Sequence, residues 1–322
     1  MRIFSTFSGI GGFEIGIQSA FESNRAAQQA GADSRHSAND TSDPLQERGQ
    51  SATCVGYSEI DKYAIKVYEK QFPGVKNYGD ITKINAKELP DFDCLVGGFP
   101  CQAFSIAGKR RGFDDTRGTL FFDLARILRE KQPRYFVFEN VKGLLSHDKG
   151  NTFRTIIATI DELGYDCQWS VLNSKNFGVP QNRERVYIVG HLRGTPRPEV
   201  FPIRLSTGKN NERNEGIGIA ARPVYKDGER QLEWCRKDIS NTLRSSGQTD
   251  TATTYIEKPR IRRLTPLETE RLQGFPDNWT AQGTDGAISD TQRYKMCGNA
   301  VTTNVVQAVF ERIFESTMEA NQ

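Results

Sequence analysis

Short apolar runs alternate with longer stretches of mixed polarity over the first 190 residues. The apolar runs have the length and side chains of buried strands, and they lie at 2–6, 54–58, 93–96, 135–139, 168–173 and 185–190. Apolar residues recur at helical spacing in the intervening stretches, at 13–21, 61–71, 118–130 and 151–163. This alternation predicts an α/β fold, in which a mostly parallel sheet carries helices on both faces.

The alternation ends after residue 190. Prolines, glycines and polar runs then dominate up to about residue 260, which predicts a smaller, loop-rich part with short strands. Helical spacing returns at 265–273 and at 303–314. We therefore expect a large domain made of 1–190 and 277–322, and a small domain at 191–276.

Residues 23–52 interrupt the pattern near the start of the chain. They are rich in Ala, Ser, Gln, Asp and Asn, and Leu45 is their only large apolar side chain. Such a stretch buries too little apolar surface to offset its ordering entropy. We expect a flexible insertion here.

Composition narrows the class of protein. The 322 residues include six widely spaced cysteines with no CxxC pair, and only three histidines. A disulfide framework and a metal site are therefore not expected, and a reducing cytoplasm fits. The chain has no signal-peptide pattern at Met1–Ser5 and no apolar run of membrane-spanning length, so no membrane association is expected.

Charge is unevenly distributed along the chain. The net charge is +3, yet residues 191–263 carry 15 Lys and Arg against 9 Asp and Glu, which leaves the remainder slightly acidic. A basic segment on an acidic body indicates either a part that meets phosphates or an ordinary solvated surface.

Reactive side chains lie at the ends of three of the predicted strands. Cys101 lies in Gly97-Gly98-Phe99-Pro100-Cys101-Gln102, Glu139 ends a second strand, and Arg183 and Arg185 lie at the start of a third. The ends of strands are where open α/β sheets carry their chemistry. A thiol, a carboxyl and two guanidiniums suit covalent attack on a polar heterocycle. Taken singly, Cys101 also fits an ordinary buried thiol, Glu139 a helix cap, and the two arginines surface ion pairs.

A glycine-rich turn at Phe7–Glu14 joins the first strand to the first helix. Glycines let the backbone approach a ligand closely, but the spacing differs from the dinucleotide fingerprint, so an ordinary tight turn remains an alternative. Glu59 ends the second strand, where a carboxylate commonly binds ribose hydroxyls, and Asp80 ends the next short strand. Together these features favour an adenosine pocket.

A long polar stretch separates Cys101 from the helix that begins near residue 118. It contains Lys109-Arg110-Arg111 between two glycines. A loop of this length is usually functional or disordered. A basic loop that begins at a reactive thiol suits a flap that closes over a polyanion.

The four reactive side chains and the glycine-rich turn lie within nine ordered blocks that give the chain an almost end-to-end resemblance to the bacterial DNA (cytosine-5)-methyltransferases of type II restriction-modification systems. The blocks are Phe7–Glu14, Tyr57–Asp61, Gly79–Thr82, Gly97–Ser105, Gly118–Leu128, Phe138–Leu144, Gln181–Gly190, Arg263–Pro276 and Gly298–Val305. The resemblance implies the Rossmann-like fold of S-adenosylmethionine-dependent methyltransferases, with a target-recognition domain in the region between the blocks Gln181–Gly190 and Arg263–Pro276.

The resemblance also implies catalytic roles. Cys101 resembles the nucleophile that adds to carbon 6 of cytosine, and Glu139 resembles the residue that contacts ring nitrogen 3 and the exocyclic amine. Arg185, assisted by Arg183, would hold the ring oxygen. Carbon 5 would then take a methyl group from S-adenosylmethionine, and β-elimination would release the enzyme.

Further residues would bind the cofactor and the DNA. The expected cofactor-binding residues are Phe7, Gly9, Gly11, Glu59, Ile60, Asp80, Ile81, Pro100, Leu120 and Asn299. The target cytosine must be flipped out of double-stranded DNA to reach the thiol. The expected DNA-binding residues are Gln102, Lys109, Arg110, Arg111, Arg117 and Arg244.

The resemblance implies a cytoplasmic monomer, encoded by a bacterium or a phage, that modifies a short specific site. A cognate restriction endonuclease would act on that same site without contacting this chain. Two alternatives stay open: a tRNA cytosine-5 methyltransferase, and a catalytically silent relative that only binds DNA. The basic segment at 191–263 argues against the tRNA enzyme, and the intact Cys101 and Glu139 argue against the silent relative.

Overall fold

The computed structural model describes most of the large predicted domain and parts of the small one. The described residues are 1–33, 52–100, 120–203, 219–226, 229–234, 240–241, 255–257 and 261–319.

A six-stranded sheet forms the centre of the described part of the molecule. Its strands are β1 (Arg2–Thr6), β2 (Thr53–Ser58), β3 (Cys94–Gly98), β4 (Tyr135–Val141), β5 (Tyr165–Asn173) and β7 (Glu184–Leu192). They lie side by side in the order β2-β1-β3-β4-β7-β5. The first four strands of that order are parallel to one another, whereas β7 is antiparallel to both β4 and β5. The prediction of a mostly parallel α/β sheet is confirmed.

Seven α-helices accompany the strands in the described ranges. They are α1 (Gly12–Asp33), α2 (Lys62–Gln71), α3 (Leu120–Lys131), α4 (Asn151–Glu162), α5 (Pro266–Leu272), α6 (Asp290–Asn299) and α7 (Thr303–Glu319). None of them is both long and apolar enough to cross a bilayer.

Apolar side chains on the two faces of the sheet form two separate cores. Successive residues of a strand point to opposite faces, so Phe136 joins the core under α3 and α4 whereas its neighbour Val137 joins the other. That second core includes Ile17 of α1 and Phe310 of α7. Both faces of the sheet are therefore covered by helices, as the sequence predicts.

Helix α1 is longer than its sequence pattern predicts. It continues to Asp33 instead of ending near Phe21, so the first part of the expected flexible insertion is helical. Polar contacts at helical spacing support the extension: Gln18 donates to Glu22 at 3.1 Å and Gln28 donates to Asn24 at 2.6 Å. The remainder of the predicted insertion, 34–51, lies outside the described residues.

Further strands lie in the predicted small domain and beside it. Strands β8 (Ile219–Lys226), β9 (Glu229–Trp234), β11 (Tyr255–Glu257) and β12 (Ile261–Arg263) form an antiparallel sheet of order β12-β11-β8-β9. Strand β10 (Ser240–Asn241) pairs with β6 (Gln181–Asn182), so this region touches the strand that precedes β7. A hairpin of β13 (Gln282–Gly283) and β14 (Gly286–Ala287) follows later in the chain. The domain boundaries themselves stay a prediction.

Helix α5 begins with a capping box formed by Thr265 and Glu268. Glu268 N donates to Thr265 Oγ1 at 3.2 Å, and Thr265 N donates to Glu268 Oε2 at 2.7 Å. Leu272 at the other end of the helix and Leu264, just before the cap, are both buried against Cys297 of α6. This contact attaches α5, the first helix after the four-stranded sheet, to α6.

Candidate active site

A cavity of about 730 Å³ lies at the carboxyl ends of the parallel strands. Strand order reverses between β1 and β3, which is where open α/β sheets bind their ligands. The volume falls in the usual range for small-molecule sites, roughly 300–1,000 Å³. Its described lining residues are Phe7, Ser8, Gly9, Gly12, Phe13, Glu59, Asp61, Ala64, Gly98, Pro100, Glu139, Val141, Arg183, Arg185, Met296, Gly298, Asn299, Ala300 and Val301.

The glycine-rich turn wraps one side of this cavity in an unusual backbone conformation. Phe7 and Gly9 both have positive φ, at 51° and 54°. A phenylalanine held in the left-handed region costs free energy, and such strain collects at functional sites. A side chain at Gly9 would meet no atom within 4 Å, so the missing Cβ leaves the turn open for a ligand to approach.

Glu59 fixes a carboxylate at the rim of the cavity. Its Oε2 accepts a hydrogen bond from Gly9 N at 2.8 Å, and its Oε1 accepts from Ile60 N at 2.7 Å and Asp61 N at 2.8 Å. Three backbone donors therefore hold the anion in one place, next to the glycine turn. A carboxylate held in this position is able to accept hydrogen bonds from a diol such as a ribose.

Glu139 and Arg185 form an ion pair in the wall of the same cavity. Glu139 lies near the end of β4 and Arg185 near the start of the neighbouring β7, and Arg185 Nε lies 3.0 Å from Glu139 Oε1. Both side chains are largely buried, with exposed fractions of 10% and 16%. Gly98 allows this close packing, because a Cβ there would lie 3.2 Å from Glu139 Oε2. The pair offers a carboxyl and a guanidinium side by side to a polar ring.

Arg183 lies beside this pair and is almost fully buried. Its guanidinium donates to Gly298 O at 3.3 Å and to Ala300 O at 2.9 Å. Burial and the nearby charge of Arg185 lower the pKa of Arg183 to about 10, so it remains a cation at neutral pH. The structure therefore shows Arg183 supporting the backbone of the cavity wall. Its predicted assistance at the ring oxygen stays a prediction.

The structure brings half of the predicted cofactor residues to the cavity. Phe7, Gly9, Glu59, Pro100 and Asn299 line it, together with the catalytic candidates Glu139, Arg183 and Arg185. Among the described lining residues, five other predicted positions are absent: Gly11, Ile60, Asp80, Ile81 and Leu120. Their cofactor contacts remain predictions.

The structure describes the packing and hydrogen bonds of these five positions. Ile60 is 73% exposed beside Glu59, and Ile81 is buried in the core under α3. Asp80 caps a short 3₁₀ helix, since its Oδ1 accepts from Thr82 N at 3.0 Å. Hydrogen bonds from Thr82 hold the pKa of Asp80 below its ordinary value.

The two remaining positions are Gly11 and Leu120. Gly11 has a φ of 88°, and a Cβ there would overlap the ring of Phe72, so it shapes the turn. Leu120 begins α3 and packs against the core under that helix.

Sequence reasoning missed an ion pair at the cavity edge. Asp61 lines the cavity and caps α2, and its Oδ2 accepts from Lys295 Nζ at 2.6 Å. Burial raises the pKa of Asp61, but the hydrogen bonds from Lys295 and the backbone outweigh it and lower the pKa overall. No local pattern reveals this contact, because 234 positions separate the two residues.

Several predicted residues lie outside the described parts of the chain, so the structure gives no position for them. These are Cys101, Gln102, Lys109, Arg110, Arg111, Arg117 and Arg244. Their roles remain predictions. Pro100, which directly precedes Cys101 in the chain, lines the cavity.

The cavity therefore combines two chemically different regions. One has an open glycine turn and the fixed Glu59 carboxylate, which fit a nucleoside. The other has the Glu139–Arg185 pair, which fits a polar heterocycle with a carbonyl oxygen. Among the described residues, no cluster of His, Cys, Asp and Glu has the arrangement of a metal site.

Comparison with known proteins gives consistent results over nearly the whole chain. The model of the family "C-5 cytosine-specific DNA methylase" matches residues 1–218 and 203–315. The type II methyltransferase M.NlaX of Neisseria lactamica is 36% identical over 335 residues, covering 97% of this chain and 96% of its own. M1.ScrFI of Lactococcus lactis subsp. cremoris is 42% identical over 291 residues, covering 80% and 71%.

Solved structures share the fold. The S. pombe Dnmt2 methyltransferase superposes with a TM-score of 0.66 at 18% sequence identity, covering all of both chains. At that identity the likeness concerns the fold alone. The family model and the relatives, together with a cavity that carries Glu59, Glu139 and Arg185, establish that this chain belongs to the C-5 cytosine-specific DNA methylase family.

Proposed function

We propose that this protein transfers a methyl group from S-adenosylmethionine to carbon 5 of a cytosine within a short, specific sequence of double-stranded DNA. The observation that carries the proposal is the Glu139–Arg185 ion pair, which faces the same cavity as Glu59 and the glycine turn. One cavity thereby offers adjoining places for a nucleoside and for a pyrimidine ring.

The methyltransferase family and fold imply a methyl donor of the S-adenosylmethionine type. The residues present fit such a molecule. The open space at Gly9 admits it, and the carboxylate of Glu59 is aligned by three backbone donors to accept from ribose hydroxyls. Pro100 and Asn299 would contact it from other parts of the lining. When bound, S-adenosylmethionine supplies an electrophilic methyl group.

In the proposed mechanism the Cys101 thiolate forms a bond to carbon 6 of cytosine. Glu139 holds or supplies a proton at ring nitrogen 3, and Arg185 hydrogen-bonds the ring oxygen, so the electron pair moves towards carbon 5. Carbon 5 would then take the methyl group of bound S-adenosylmethionine, which would leave as S-adenosylhomocysteine. Loss of the carbon 5 proton to water or a nearby base breaks the sulfur–carbon bond and restores the thiolate.

The Glu139–Arg185 pair supports this division of labour. The two groups are mostly buried and lie 3.0 Å apart, so each restricts the orientation of the other before substrate arrives. A guanidinium offers further N–H donors once Nε is engaged, and these are suited to a carbonyl oxygen.

The DNA contacts are proposed from the sequence. A cytosine inside a duplex hides carbon 6 from a thiol, so the base must leave the stack. The segment from Gln102 through Lys109, Arg110, Arg111 and Arg117 would close over the DNA backbone, and Arg244 would contact it from the small domain.

A restriction-modification context is proposed from the relatives. Those named above are type II methyltransferases, whereas two phage relatives are named as orphan methyltransferases. A cytoplasmic monomer that shares its site with a separate endonuclease is the simplest arrangement.

The test measures methyl transfer from radiolabelled S-adenosylmethionine to duplex DNA of mixed sequence and, in parallel, to tRNA. We expect label in DNA with the wild-type protein, none in tRNA, and none in either acceptor with Cys101→Ser. Label in tRNA alone would replace the proposal with the tRNA enzyme. DNA binding without any transfer would favour a silent relative.

A further inference from the structure

The segment 298–301, at the end of α6 and the start of its connection to α7, forms one wall of the cavity. Gly298, Asn299, Ala300 and Val301 all line the cavity. Apart from Asn299, the lining residues of this segment carry small or apolar side chains, so the path of the backbone determines the shape of the wall. Whatever holds this backbone therefore controls how well a ligand fits.

Gln273, at the end of α5, holds both ends of this segment. Its side chain is fully buried. Its Nε2 donates to Cys297 O at 2.8 Å, and its Oε1 accepts from Thr302 Oγ1 at 2.9 Å. Cys297 precedes the cavity wall in the chain and Thr302 follows it.

The hydrogen bonds continue to Arg183, which directly precedes β7, the strand that contains Arg185. Thr302 Oγ1, which donates to Gln273, also lies 2.8 Å from Ser174 Oγ. Ser174 N donates to Arg183 O at 3.0 Å. Arg183 in turn donates to Gly298 O and Ala300 O, so the network closes on the same segment.

The backbone around Gln273 is fixed as well. Thr303 N donates to Gln273 O at 3.0 Å. The next residue, Gly274, has a φ of 77°, and a Cβ there would overlap the side chain of Asn304. The amide of Gln273 therefore has little freedom to move away from its partners.

We infer that Gln273 is a positioning residue for the methyl donor: it sets the path of Cys297–Val301 and so the fit of the cofactor, without touching the reacting atoms. This inference rests on the proposed function. A glutamine suits the task because one uncharged side chain offers a donor to Cys297 O and an acceptor to Thr302. Methionine has a similar length and shape but offers no donor.

The test compares Gln273→Met with the wild-type protein in calorimetric titrations with S-adenosylhomocysteine, without DNA. Losing a buried, doubly bonded amide should weaken binding about tenfold. Steady-state assays should show KM for S-adenosylmethionine rising by a similar factor, with kcat changed less than about twofold. Thr302→Val, which removes only one of the two hydrogen bonds, should shift binding in the same direction by a smaller factor.

Tyr165→Phe is the matched control. Tyr165 is also fully buried and donates to a backbone carbonyl, Pro133 O at 2.8 Å, at the end of β5 away from the cavity. We expect it to lower the melting temperature while leaving the affinity for S-adenosylhomocysteine unchanged. This result would separate a positioning effect from a general loss of stability.

Wild-type affinity in both Gln273→Met and Thr302→Val would overturn the inference, as would a fall in kcat with KM unchanged. If Gln273→Met does not fold, as judged by circular dichroism, Thr302→Val decides alone. A wild-type protein that fails to bind S-adenosylhomocysteine would instead contradict the proposed function.

Discussion

At the scale of single residues, the Glu139–Arg185 pair is the central part of the proposed chemistry within the described residues. The resemblance pointed to both residues, but their 3.0 Å contact across β4 and β7 comes only from the structure. Sequence reasoning could not supply it because the pairing of those two strands is antiparallel, against the general trend of the sheet. The contacts of Gln273 were also not predictable from the sequence, because its partners lie 24 and 29 positions away.

Glu139→Gln should lower kcat by about 100-fold or more, because an amide cannot supply the proton at ring nitrogen 3. The affinity for S-adenosylhomocysteine should remain within about twofold, since Glu139 is assigned to the base and not to the cofactor. Single-turnover methylation rates check the first expectation and calorimetry the second. Glu184→Gln, which removes an exposed partner of Lys142, is the control and should retain activity. Equal rates for Glu139→Gln and the wild type would remove Glu139 from the mechanism.

Glu14 should make stability depend on pH. It is buried in α1, its Oε1 accepts from Tyr68 Oη at 2.8 Å, and burial raises its pKa above the ordinary value of 4.5. Burial also raises the pKa of Cys54 to about 12 and raises that of Tyr68, so these neighbours stay neutral when Glu14 titrates.

The sign follows from proton linkage. Because the folded state binds the Glu14 proton more tightly than the unfolded state, the free energy of unfolding falls as pH rises from about 4.5 through the folded-state pKa. Glu14→Gln should remove this slope and gain stability relative to the wild type as pH rises. Urea unfolding of both proteins from about pH 5 to about pH 9 measures how the free energy of unfolding changes with pH. Parallel pH profiles for the two proteins would contradict a raised pKa for Glu14.

At the scale of elements, apolar periodicity predicted the strands and helices of the large sheet well. It failed where a helix has little apolar surface of its own. The outer part of α1 is stabilised by polar contacts at helical spacing, and α6 (Asp290–Asn299) is too polar to show a clear pattern. The order of the strands in the sheet could not be predicted from the sequence either, because periodicity identifies a strand but not its neighbour.

Gly97→Ala should destabilise the contact between β1 and β3. A Cβ at Gly97 would overlap Thr6 Oγ1 and lie 2.9 Å from Thr6 O, and the backbone of β1 cannot move aside without disturbing the sheet. We expect a loss of about 1–3 kcal/mol in the free energy of unfolding, measured by urea denaturation. Gly143→Ala is the control, because a Cβ there meets no atom within 4 Å, and it should change stability by less than about 0.5 kcal/mol. Equal stability of the two variants would show that the strands are less tightly apposed than described.

At the scale of the whole molecule, the chain combines a nearly neutral catalytic body with a basic segment at 191–263. The arrangement suits an enzyme that binds a polyanion in one region and performs chemistry in another. Helix α5, fixed on α6 through Leu272 and Cys297, connects the two regions. This two-region organisation is a prediction from charge and periodicity. The sequence could not predict which side chains read bases, since that depends on how the short strands are arranged.

DNA affinity should fall steeply with salt. If the basic segment neutralises phosphates, the logarithm of the binding constant falls linearly with the logarithm of salt concentration, by about 0.9 per phosphate contact. Arg244→Ala should reduce that slope by about one contact, whereas Arg312→Ala, on α7 and paired with Glu315, should leave it unchanged. Fluorescence anisotropy at several salt concentrations measures the slopes. A salt-independent affinity would contradict phosphate binding by this segment.

The central claim is tested most directly by bisulfite sequencing of random-sequence duplex DNA after incubation with the protein and S-adenosylmethionine. The account predicts protected cytosines at a single position within one short recurrent sequence, and no protection with Cys101→Ser. Protection scattered without a common sequence would contradict a specific modification enzyme. No protection by the folded, cofactor-binding wild-type protein would contradict methylation of DNA cytosine at carbon 5.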